Sequence, residues 1–105
     1  MRPSSLGDLL KAQFGPQLGV STGSATRADP LVITELVDYV SVEYIAARFL
    51  MQGQEFKKKA QRLHHLEGRQ VDELEFLTKD PGSDEWEGVC HFFFDITAGF
   101  SQLGK

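Results

Sequence analysis

The chain has 105 residues, 41% hydrophobic and 25% charged, with a formal net charge of −4 and one cysteine. This composition excludes wholesale disorder, a disulfide-stapled scaffold and a basic nucleic-acid-binding domain, and the length suits a single core. No apolar run approaches the roughly 20 residues of a membrane span. The N-terminus is too poor in apolar residues for a signal-peptide core, so a cytoplasmic location with a reduced Cys90 is expected.

Residues 4–14 predict a short helix. Ser4 or Ser5 supplies the cap, Leu6, Leu9, Leu10 and Phe14 recur at helical spacing, and Gly15-Pro16 ends it. Residues 17–29 are rich in glycine, serine and threonine and read as a flexible linker. The chain therefore divides into residues 1–30, a short helix on a tether, and residues 31–105, an α+β core. Residues 31–40 admit two readings. Their valine, isoleucine, threonine and tyrosine suit a strand, the preferred reading. Asp29-Pro30 and the spacing of Ile33, Leu36, Val37 and Val40 suit a helix.

Residues 41–65 predict one long amphipathic helix, with Val42, Ile45, Phe49, Phe56, Ala60 and Leu63 on one stripe. Gly53 is its weak point and Gly68 its stop. Residues 70–78 and 88–97 predict an antiparallel hairpin whose loop carries Pro81-Gly82, a type II turn signal. In its second strand Cys90, Phe92, Phe94 and Ile96 point one way. Val89, His91, Phe93, Asp95 and Thr97 point the other. The expected architecture is a single small α+β domain: a long helix on a small antiparallel sheet that includes this hairpin, plus the tethered N-terminal helix.

Phe92, Phe93 and Phe94 place large rings on both faces of one strand. A sheet wetted on one side would alternate more cleanly, so something must cover each face. The long helix covers one. The N-terminal helix, Phe100 and Leu103, or a second copy of the chain must cover the other. The leading functional expectation is thus a self-associating protein-interaction module, a homodimer without catalytic activity, that meets its copy or another protein through Trp86, Val89, His91 and Phe93.

The runner-up is an enzyme or small-ligand binder with a pocket around His91, Asp95 and Glu75, with Phe93 as its floor and Glu73 as the alternative carboxylate from the neighbouring strand. His91 and Asp95 lie about 13 Å apart along a strand, too far for a direct hydrogen bond. The plainer reading is a polar sheet face. A third reading, weak nucleic-acid binding through Lys57, Lys58, Lys59 and Arg62, is disfavoured by the net negative charge and is outweighed by a solvated charged face.

Cys90 and His91 leave opposite faces of a strand and cannot act as nucleophile and base; Cys90 reads as a small buried hydrophobe. His64 and His65, read on a helix, diverge too far to share a metal. Asp80, Ser83, Asp84 and Glu85 lack the spacing of a calcium loop. Trp86 beside them is a core edge or a binding anchor. No cofactor fingerprint or metal motif is present.

Overall fold

A computed structural model describes residues 5–103, with side chains through Phe100. Ser4, the alternative cap, lies outside these residues, as does the side chain of Leu103. The elements are α1 (Leu6–Phe14), β1 (Leu31–Val32), α2 (Tyr39–Leu50), β2 (Glu55–Leu66), β3 (Arg69–Lys79), β4 (Gly88–Asp95) and α3 (Thr97–Leu103). The strands form one four-stranded sheet in the order β1-β4-β3-β2. β2, β3 and β4 run antiparallel, while β1 is parallel to β4, so the sheet is mixed.

Ser5 starts α1 with a capping box: its hydroxyl accepts from Asp8 N–H while the Asp8 carboxylate accepts from Ser5 N–H. The segment from α1 to β1 has no regular element beyond a Val20–Ile33 bridge. It is nonetheless tied to β1, with Ser21 N–H donating to Val32 O and Val32 N–H to Thr22 O, both at 2.8 Å. Val20 and Ala25 from this segment and Leu10 from α1 share one core with the rest of the chain. Both readings of residues 31–40 capture a part. Leu31 and Val32 are a strand, and helix begins at Tyr39 behind the Asp38 cap.

The long helix expected over residues 41–65 is corrected. The helix ends at Leu50, residues 51–54 turn, and residues 55–66 are the strand β2. Gly53 adopts φ +85° in that turn, a conformation that an L side chain resists. The helical stripe misled because β2 carries a bulge between Lys58 and Ala60. Phe56 pairs with Thr78 and Leu63 with Asp72, so two residues seven apart share a face only because of the extra residue. A spacing of seven is the helical signature too.

Alternation then sorts the sheet into two sides. Asp72, Leu74 and Phe76 of β3 and Cys90, Phe92 and Phe94 of β4 face the helices. Phe76 is fully buried and meets the rings of Tyr44, Phe56 and Phe92 within about 6 Å. Phe100 of α3 packs against the same core, so all three helices lie on this side. No helix is long and apolar enough to cross a membrane among the described residues.

Candidate functional site

Among the described residues, no helix lies over the opposite side of the sheet. Its rows follow from the registers: Lys57, Leu77 and Val89; Ala60, Glu75 and His91; Arg62, Glu73 and Phe93; His64, Val71 and Asp95. Two carboxylates sit at its centre. Glu73 Oε1 meets His64 Nε2 at 2.9 Å, and its Oε2 meets His91 Nδ1 at 2.8 Å and Arg62 Nη1 at 3.4 Å. Glu75 Oε1 accepts from Arg62 Nη2 at 3.0 Å, and its Oε2 pairs with Lys59 Nζ at 3.3 Å. Arg62 thus bridges both carboxylates.

Glu73 and Glu75 are only 8% and 5% exposed, although no secondary-structure element covers them. The shield is the layer of longer side chains above: Lys59 and Arg62 are themselves about half exposed. The His64 hydrogen bond, helped by His91 and Arg62, holds the Glu73 carboxyl below its ordinary range against the opposing effect of burial. Arg62 and then Lys59 do the same for Glu75.

All the surface residues expected from the sequence fall on this side. Val89 is exposed, Phe93 is half-buried beneath the His64 ring, and His91 faces Glu75 across the ladder. Trp86 is half-buried in the β3–β4 loop, with Lys57 Nζ 4.5 Å and Lys79 Nζ 5.1 Å from its ring centre. The trio His91, Asp95 and Glu75 is only partly gathered. His91 Nε2 comes within 3.9 Å of Glu75, whereas Asp95 is engaged elsewhere with Thr97 at 2.6 Å and Arg69 at 3.4 Å. A cavity of about 120 Å³ does open on this side, but Arg27, His64, Leu66, Val71, Glu73 and Phe93 line it.

The basic run divides between the two faces of β2. Lys57 lies over Trp86, Lys59 and Arg62 hold the carboxylates, and Lys58 turns to Gln61 on the helix side. His64 and His65, expected on a helix, are strand neighbours on opposite faces, with His65 against the Phe100 ring. Sequence reasoning offers Glu73 as a neighbour of His91 but misses it as the hub, because its partners Arg62 and His64 come from the segment read as helix. The period-two placement of Arg62 and His64 was the available signal.

Chemically, the His64–Glu73–His91 array can hold or pass a proton. Among the described residues no hydroxyl or thiol is hydrogen-bonded to either ring, and Cys90 points to the helix side. Among the described residues, no group of three or more histidine, cysteine or carboxylate side chains is placed to hold a metal ion.

Fold and site together define a small α+β protein with one helix-covered sheet face and one open face lined by paired charges. Comparison with known protein families, curated proteins and solved structures gives no match.

Proposed function

We propose that the protein is a cytoplasmic self-associating interaction module without catalytic activity of its own, which pairs with a second copy through the open sheet face. The observation that carries this reading is that Val89 and Phe93 lie on a side that, among the described residues, no helix of the same chain covers. Two further features favour a second copy as occupant. The central charges balance, Lys59 and Arg62 against Glu73 and Glu75, so the face meets its own image without net repulsion. The β2 edge also discourages strand addition, since it is bulged and carries Lys57, Lys58, Lys59 and Arg62. The lone cysteine supports a reducing compartment.

The test is light scattering at micromolar concentration on the wild type and on Phe93→Asp. A dimeric wild type and a folded, monomeric variant are expected. A monomeric wild type would sink the proposal.

The cavity beside Phe93 supports a second reading, a small-ligand site in which Arg27, His64 and Glu73 supply the polar contacts. A fragment screen read by NMR should then give shifts centred on these residues. Hits scattered over the surface, or none, would end that reading.

A further inference from the structure

A carboxyl pair lies in the contact between α2 and the sheet, where the proposed self-association makes no use of it. Helix α2 buries Val42, Glu43, Ala46 and Ala47 together, so a glutamate sits within its apolar face. Glu43 is 1% exposed and Asp72, which faces it from β3, is 2% exposed. Alternation puts Asp72 on the covered side with Leu74 and Phe76. Asp72 Oδ2 accepts from Gln61 Nε2 at 2.8 Å, and Gln61 Oε1 accepts from Lys58 Nζ at 3.4 Å. Glu43 Oε2 has no hydrogen-bond partner in this buried setting.

Among the described residues, the titratable groups acting on Glu43 are Asp72 from β3 and Lys58 from β2, with Tyr39 one turn away on α2 itself. Lys58, at the rim of the helix side of β2, is exposed, and its charge is largely screened. Two ionised carboxylates in contact and out of water would repel strongly with little to offset them. One neutral carboxyl can instead donate its hydrogen to the other.

We propose that Glu43 and Asp72 share one proton across the helix–sheet contact, which makes the docking of α2 a proton-linked, pH-responsive step. Burial first, then the hydrogen bond and charge of Asp72, push the Glu43 carboxyl from 4.5 up to about 10, while Lys58 opposes. Burial, with Glu43 and Asp72 behind it, also pushes the Tyr39 hydroxyl up. The folded form therefore binds a proton that the unfolded chain releases. Stability from this pair is fully present below the unfolded value and drains as pH rises toward the folded one. The limit for one linked proton is about a tenfold fall in the folding constant per pH unit.

The experiment is urea unfolding of the full chain from about pH 6 to pH 9, wild type beside Glu43→Gln. The amide still donates to Asp72 but has no proton to lose. Wild-type stability should fall across this range. The variant's profile should be flatter, and it should be the more stable protein at the alkaline end. Parallel profiles would overturn the proposal. Should the variant not fold, carbon-13 NMR of glutamate-labelled wild type decides: a protonated Glu43 carboxyl at neutral pH is expected, and an ionised one overturns the idea. Wild-type stability restored at alkaline pH by sodium, magnesium or calcium would also overturn it, by putting a metal ion in the proton's place.

Discussion

A carboxylate that meets two imidazoles and a guanidinium resists protonation to a lower pH than an ordinary carboxylate. Glu73 is such a group, and its depressed range fixes the sign of the effect. Its contribution is present above the ordinary carboxylate value and is lost as pH falls through the folded one. The Glu73→Gln variant is expected to lose about 1 kcal/mol at neutral pH, the scale of half-exposed ion pairs. It should match the wild type in strong acid, where both side chains are uncharged. Chemical denaturation at the two pH values checks this, and an equal deficit at both would mean that shape rather than charge carries the contribution. The opposite faces of Cys90 and His91 were legible at this scale, because strand alternation alone decides them. The role of Glu73 was not, because Arg62 and His64 reach it only from a neighbouring strand.

Among the elements, the hairpin of β3 and β4 was readable from its Pro81-Gly82 turn and its alternation, and Gly82 does adopt φ +87°. The boundary between α2 and β2 was not. Apolar spacing cannot separate a helix from a strand with one extra residue, and the extra residue shows only in the pairing with β3. Gly53 was recognised as a weak point, and its turn is where the two elements part. A Cβ at Gly53 would meet nothing within 4 Å, so the cost of Gly53→Ala is conformational alone. About 1 kcal/mol of destabilisation is expected, with Gly53→Asn closer to wild type because asparagine tolerates positive φ. Thermal unfolding of the pair measures this. A neutral alanine variant would show that the turn can relax.

At the scale of the molecule, the two faces of the phenylalanine strand differ in their cover, and on the open one Val89 stays exposed and Phe93 half-buried. Three helices cover one face, and the other carries a layer of paired, long side chains. Charge could not be foreseen as a cover, since it depends on which strands become neighbours. The covered side carries the stability. Phe76→Ala, which removes a fully buried ring from among three aromatic neighbours, is expected to cost about 3–5 kcal/mol and to leave the chain largely unfolded by circular dichroism.

The two-residue β1 has a further consequence, because it pairs with only Phe94 and Asp95. Together with Ala25, which accepts from Phe93 N–H, it lies along the edge of the strand that carries Val89, Phe92, Phe93 and Phe94. That run is aromatic, nearly uncharged and free of proline, the makings of a fibril core once its backbone edge lies bare. The chain thus guards its most hazardous stretch with a very short seal, anchored by the fully buried Leu31 and Ile33. Loosening the seal with Leu31→Asp should give a variant that seeds thioflavin-positive fibres under agitation, while the wild type stays clear.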